Sequence, residues 1–172
     1  AGSDERLAEA VAGVVQKQVD LGIDIVDDGE FSKRGFAVYA HERLGGLEPT
    51  GKARPSPWAD SRESRAFPEF YAAEQTAKDK KPTPSSMQMA CTGPLTYKGQ
   101  ALLDRDLDNL RAAVDAAGVE EAFVPAISCS DIAGNQLNQH YDSDDDFLYA
   151  IADAMNVEYR AIIDAGFLLQ ID

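Results

Sequence analysis

The sequence predicts an α/β fold in which parallel strands alternate with covering helices. Three amphipathic helical segments each close on a glycine, a short apolar run follows each of them, and a fourth such run precedes the second helix. Strands that alternate with helices of this length imply βαβ crossovers and therefore a parallel sheet.

The first helix is expected from Asp4 to Leu21, where Leu7, Ala10, Val11, Val14, Val15 and Val19 recur at helical spacing, with Ser3 as N-cap and Gly22 as stop. IDIV follows at once and places the first strand near 23–27. SMQMACT places the next near 87–92. The second helix, Ala101 to Ala117, ends at Gly118 and leads through two acidic residues into AFVPAI, a strand near 122–127. The third, Asp144 to Ala165, opens on an acidic turn suited to the helix dipole, ends at Gly166 and leads into FLLQI, a strand near 167–171. These strands are nearly continuous apolar runs, as expected when both faces are buried.

Between Leu44 and Ser86 the composition shifts toward Pro, Ser, Lys, Arg and Ala. The expected organisation is one domain, 1–172, with a long loop inserted at about 46–86. A loop of that length is functional, carries short helices of its own or is disordered. Phe67, Phe70 and Tyr71 are expected to dock on the domain or on another subunit, and the lysine run KDKK (78–81) to form a solvated hinge.

A chain of 172 residues with 44% hydrophobic content can bury one sizeable core. Its 16 Lys and Arg against 30 Asp and Glu give a net charge of −14, which repels phosphate backbones and anionic bilayers. Neither nucleic acid nor membrane is an expected partner. The N-terminal stretch lacks the pattern of a signal peptide, and the expected location is the cytoplasm. Cys91 and Cys129 have no CxxC spacing and read as reduced thiols.

In parallel α/β folds ligands sit at the carboxyl ends of the strands. The groups there are DDGE (27–30), TGPLTY (92–97), SCSD (128–131) and Asp172. Three carboxylates within four residues repel one another unless a cation sits among them, so at least one is assigned a ligand role. Glu30 is the first candidate if Gly29 makes the turn, and turn or cap roles are the alternative for Asp27, Asp28 and Glu30 alike. Thr92-Gly93-Pro94 is expected to shape a tight strand exit, and Tyr97 to flank a planar ligand or simply pack. A Ser or Cys nucleophile in SCSD is disfavoured because no histidine lies in that cluster. A zinc site from Cys91, Cys129, His41 and His140 is disfavoured for want of a paired spacing, so no metal ligand is assigned. His140 is expected to cap or salt-bridge the acidic helix start, and His41 to be exposed. Asp172, ending a buried strand, would point into the same pocket as Glu30, and two opposed carboxylates suit an ammonium group.

The order of AVAGVVQKQVDLGIDIVDDGEFSK, CTGPLTYKGQ, VEEAFVPAIS and EYRAIIDAGFLLQID resembles the catalytic C-terminal barrel of cobalamin-independent methionine synthase and its short single-barrel relatives. The resemblance implies a TIM-type (βα)8 barrel, about half of it in this chain. It implies transfer of a methyl group from a folate-type donor to a thiol such as homocysteine, held as a thiolate by zinc. By motif match Glu30 and Asp172 hold the amino group of the acceptor, and Asp28 and Ser128 complete the substrate-binding candidates. The family's zinc ligands lie beyond the QID motif. Zinc is therefore expected for the complete barrel and none for this chain, which by itself is expected to be inactive. SCSDIAGNQLNQHY stands where many relatives carry a Ser-Pro-Gly-Thr-like turn, so acceptor or donor can differ. Half a barrel exposes two sheet edges, and the expectation is a fragment, a homo-oligomer or association with a missing half. The alternatives are a non-catalytic barrel remnant acting as a binding or assembly module, a thiol alkyltransferase with another acceptor, and a lyase using the DDGE carboxylates on a divalent metal.

Overall fold

The computed structural model describes residues 2–54, 56, 60–78 and 87–172, the side chains of 36, 37 and 74–78 excepted. In chain order its elements are α1 (Ser3–Asp20), β1 (Ile25–Val26), α2 (Phe36–Arg43), β2 (Leu44–Ala53), α3 (Arg62–Ala66), α4 (Pro68–Lys78) and β3 (Met87–Tyr97). Then follow α5 (Gln100–Ala117), β4 (Glu121–Ala126), α6 (Cys129–Asn135), β5 (Gln136–Asn138), α7 (Asp144–Asp164) and β6 (Leu168–Ile171). This is a mixed α/β fold with a parallel sheet and helices.

The three long helices lie where their periodicity puts them. Each ends on a glycine in the left-handed region, Gly22 at φ +81°, Gly118 at +69° and Gly166 at +82°, which lets the chain reverse directly into the next strand. The start of α1 differs from expectation. Ser3 is already helical, Gly2 is the cap, and the Glu5 carboxylate accepts the Gly2 N–H at 3.0 Å.

The strands form two sheets. In the first, β1, β4 and β6 are parallel in that order, with Ile25 opposite Glu121 and Phe123 opposite Leu168. The expected strand at 87–92 belongs elsewhere. As β3 it runs on to Tyr97, pairs antiparallel with β2 and parallel with β5, and so forms a separate mixed sheet. Thr92-Gly93-Pro94 therefore lies inside a strand and is not its exit. Part of the expected loop is strand as well: β2 turns back along β3, with a register shift between Gly45 and Leu47. At that shift Gly46 has φ +86°, and a Cβ there would stand 2.6 Å from the Pro94 carbonyl oxygen. The rest of the insertion includes the short helices α3 and α4. Phe67 and Phe70 are 65% and 62% exposed within this chain, so they do not dock on the domain. Residues 79–81 of the lysine run lie outside the described residues.

Two apolar cores result. Val11, Val15, Val26, Leu110, Val124, Ile162 and Phe167 join α1, α5 and α7 to the parallel sheet. Leu44, Met89, Ile132, Phe147, Ile151 and Met155 join the mixed sheet to α6 and α7. Each fully buried Leu, Ile or Met side chain contributes ~1.5–3 kcal/mol relative to exposure. Helix α7 spans both cores and so fixes one sheet against the other. Burial on both faces of the parallel sheet is not found: Ile25, Leu168 and Ile171 remain 40%, 47% and 55% exposed. Their apolar character has no covering layer among the described residues. No helix among the described residues is long and apolar enough to cross a membrane.

Candidate functional site

The DDGE turn explains its own acidity. The Asp27 Oδ1 accepts the Gly29 N–H at 2.8 Å, and the Asp28 Oδ1 accepts the Glu30 N–H at 2.8 Å. These are two successive Asx turns, a local use of short acidic side chains. They hold Gly29 at φ +66° and Glu30 at φ +55°. Glu30 is the only non-glycine residue with positive φ among the described residues. That conformation costs ~1–2 kcal/mol in an L-residue with a Cβ, and such strain gathers where function fixes the backbone. Two of the three carboxylates are thus occupied with backbone donors. The third is left to face a cavity.

That cavity, about 130 Å3, is lined by Glu30, Lys33, Gly35, Tyr39, the β4 exit Pro125–Ala126–Ile127, and Asp172. Asp172 arrives by extending the β4–β6 ladder one residue. Its N–H donates to the Ala126 carbonyl at 2.9 Å, and its carbonyl accepts the Ser128 N–H at 2.6 Å. Glu30 and Asp172 thus both line this one cavity. Lys33 lines the same cavity, its side chain only 9% exposed. The Lys33 ammonium donates to the Pro125 carbonyl at 2.5 Å and lies 3.5 Å from a Glu30 carboxylate oxygen and 5.6 Å from the Tyr39 ring centroid. Two carboxylates against one ammonium leave the cavity with one uncompensated negative charge, which favours a cationic ligand group.

Behind the cavity lies a buried polar network. The Arg43 guanidinium donates to an Asp106 carboxylate oxygen at 2.7 Å and to the Gly99 carbonyl at 3.2 Å, and stacks 5.0 Å from the Tyr39 ring centroid. Ser32 Oγ donates to the same Asp106 oxygen at 2.9 Å, and Arg105 binds the other. Glu158, fully buried on α7, accepts the Tyr97 hydroxyl at 2.5 Å, while its Oε1 has no hydrogen-bond partner among the described residues. Burial pushes the Glu158 carboxyl up from 4.5 to about 7 against the pull of the Lys33 ammonium. Burial also raises Asp28, opposed by Lys33 and by the Glu30 N–H. Asp28 thus supports the turn and does not line the cavity.

The remaining candidates have structural tasks. Ser128 Oγ accepts the Asp131 N–H at 3.1 Å as N-cap of α6, and the residue does not line the cavity. Tyr97 packs and donates to Glu158. His140 is exposed against Tyr141, and the cap of α7 is Ser143, so the expected capping role falls to the serine. His41 is half-buried, not exposed, and burial lowers its pKa. Cys91 is buried with its thiol donating to the Gly93 carbonyl, and Cys129 lies 3.6 Å from the Tyr159 hydroxyl. Among the described residues no group of three His, Cys, Asp or Glu side chains is placed to hold a metal ion. A larger groove of about 510 Å3 lies on the mixed sheet, with Glu48 and Lys52 as its charged lining. It holds none of the converging carboxylates, and the smaller cavity is the better candidate site for that reason.

Sequence reasoning passed over Lys33, Arg43, Asp106 and Glu158. A signal for two of them was present. Asp106 falls on the buried stripe Leu103, Leu110, Ala113 of α5, and Glu158 on the stripe Ile151, Met155, Ile162 of α7. A charge at an apolar helical position announces a buried partner.

No protein-family model matches the chain, and no curated protein matches it. Among solved structures, the chain is similar to the B12-independent methionine synthase from Shewanella sp. W3-18-1, solved in complex with selenomethionine. The superposition has a TM-score of 0.69 at 18% sequence identity and covers 96% of this chain and 41% of that one. The chain therefore spans well under half the length of that structure, and at this identity the likeness is one of fold.

Proposed function

We propose that this chain is part of a TIM-type methyltransferase barrel of the methionine synthase kind, and that Glu30 and Asp172 hold the ammonium group of a thiol amino acid such as homocysteine. The observation that carries this reading is the meeting of those two carboxylates, from β1 and β6, in one cavity that retains a negative charge. The fold likeness to a methionine synthase that binds selenomethionine supports an amino-acid ligand. With the ammonium held at the strand ends, the ligand's thiol-bearing arm is left to point outward, where a methyl donor of folate type would approach. In this reading the chain's share of the work is binding and orientation of the acceptor. Ile25 and Ile171, on the two edge strands of the parallel sheet, favour a second copy or a further barrel segment as partner. Both cysteines are free, which suits a cytoplasmic protein.

Isothermal titration with L-homocysteine and L-methionine tests the reading. A charge-assisted hydrogen bond is worth ~1.5–3 kcal/mol, so Glu30→Gln and Asp172→Asn are each expected to weaken binding ~10- to 100-fold. Equal affinity in wild type and both variants, or no binding by the wild type, defeats it.

A further inference from the structure

The buried network behind the cavity leaves two polar atoms unsatisfied. Among the described residues, Arg43 Nε and Glu158 Oε1 are both buried without a hydrogen-bond partner. The two groups are near neighbours: Arg43 Nη1 lies 4.0 Å from Glu158 Oε2, about 1 Å beyond the reach of a hydrogen bond. Their side chains are only 3% and 0% exposed, and a guanidinium and an ionised carboxylate buried that deeply attract each other strongly. The gap is nevertheless open. Nη1 donates instead to the Gly99 carbonyl at 3.2 Å, and Nη2 to Asp106 at 2.7 Å. A carboxyl group that keeps its proton accounts for this, because it exerts no charge on the guanidinium.

The groups around Glu158 decide when that proton leaves. Burial favours the neutral form and the Lys33 ammonium the charged one, and burial is the stronger, which puts the carboxyl at about 7. From β3 the Tyr97 hydroxyl donates to Oε2 at 2.5 Å, from α2 comes Arg43, and from α5 comes Asp106, bound to Arg43. The adjacent Tyr159 donates to the Ile127 carbonyl and lies 3.6 Å from Cys129 of α6. Strand β6 carries no titratable side chain. Gly99 packs on the Arg43 stem so closely that a Cβ there would overlap Arg43 Cδ. The stem is therefore held and the guanidinium is the part left to pivot. It stands 5.0 Å from the centroid of Tyr39, one turn earlier on α2, and Tyr39 lines the cavity.

We propose that Arg43 and Glu158 form a proton-operated latch behind the Tyr39 wall of the cavity. While Glu158 holds its proton, Arg43 rests on Gly99 and Asp106. When the proton leaves to solvent, the Glu158 carboxylate draws Arg43 Nη1 off the Gly99 carbonyl and across the gap, and the cation shifts over the Tyr39 ring. Asp106 keeps Ser32 and Arg105 as donors in either position, so the exchange strands no buried charge. The latch belongs to the fold and holds whatever the cavity binds.

Two measurements on the ligand-free chain test the latch. NMR of the Glu158 side-chain carboxyl carbon from pH 5 to pH 9 is expected to show a titration with its midpoint at about 7. Crystal structures at pH 5.5 and pH 8.5 then measure the gap. The Arg43–Glu158 separation is expected to stay at 4.0 Å at the lower pH and to close to ~2.7–2.9 Å at the higher, with the guanidinium displaced over Tyr39. In Glu158→Gln, which keeps an acceptor for Tyr97 and cannot ionise, the gap is expected to stay open at both. If Glu158 titrates and the gap does not change, Glu158 is an isolated buried acid and the inference fails. It fails equally if Glu158 does not titrate in that range, or if Arg43 moves with pH in Glu158→Gln as it does in wild type. The wild-type measurements need no variant, so a folding defect in Glu158→Gln does not remove the test.

Discussion

Replacing Glu158 by glutamine should make the protein more stable in mild alkali and leave it little changed in mild acid. Glu158 is fully buried, its Oε2 accepts the Tyr97 hydroxyl at 2.5 Å, its Oε1 has no hydrogen-bond partner among the described residues, and Arg43 approaches only to 4.0 Å. Burial lifts the carboxyl from 4.5 to about 7. Below pH 4.5 the folded and unfolded chains both carry the proton. As pH rises from 4.5 to about 7 the unfolded chain releases it first, so folding loses stability across that window, and above it the loss is complete. The gap, at ~1.4 kcal/mol per pH unit, is worth about 3 kcal/mol as an upper figure. Glutamine keeps the acceptor for Tyr97 and has no charge to bury. Urea unfolding of both proteins at pH 5 and pH 8, followed by circular dichroism, measures the difference directly. Other titrating groups cancel between the two chains. The variant is expected to gain ~2–3 kcal/mol over wild type on going from the lower to the higher pH. A stability difference that stays constant with pH would refute the reasoning.

Two further changes probe the frame that carries the site. Arg43→Met removes the buried partner of Asp106 and the cation over Tyr39. Breaking such a pair costs ~3–5 kcal/mol, which in a domain of this size lowers Tm by about 10 °C; calorimetry showing less than a third of that would mean Arg105 and Ser32 satisfy Asp106 alone. Gly46→Ala forces a Cβ to 2.6 Å from the Pro94 carbonyl at φ +86°. A loss of at least ~1–2 kcal/mol in thermal melts is expected, and an unchanged Tm would mean that β2 and β3 do not approach as described.

The three long helices, α1, α5 and α7, were legible in the sequence because their apolar residues repeat at helical spacing and a glycine ends each. The strands β4 and β6 were legible as apolar runs behind those glycines. β2 was not: LGGLEPTGKA holds two adjacent glycines, a proline and few β-branched residues, and only its pairing with β3 makes it a strand. The same pairing carries β3 past Pro94, where a turn was expected. In the site, DDGE stood out by charge density and Asp172 by its place after a strand. The roles within DDGE were not legible, since whether an aspartate binds a ligand or its own backbone depends on φ and ψ two residues on. Lys33 gave no signal, because a lysine after an acidic turn is ordinarily solvated, and its hydrogen bond inside goes to the Pro125 carbonyl, distant in sequence.

The central claim is that Glu30 and Asp172 share one ligand ammonium. A crystal structure of the chain grown with selenomethionine, its selenium located by anomalous scattering, measures this directly. The account predicts the ligand nitrogen within ~3 Å of both carboxylates. Selenium density elsewhere, with the two carboxylates turned to separate surfaces, would contradict it.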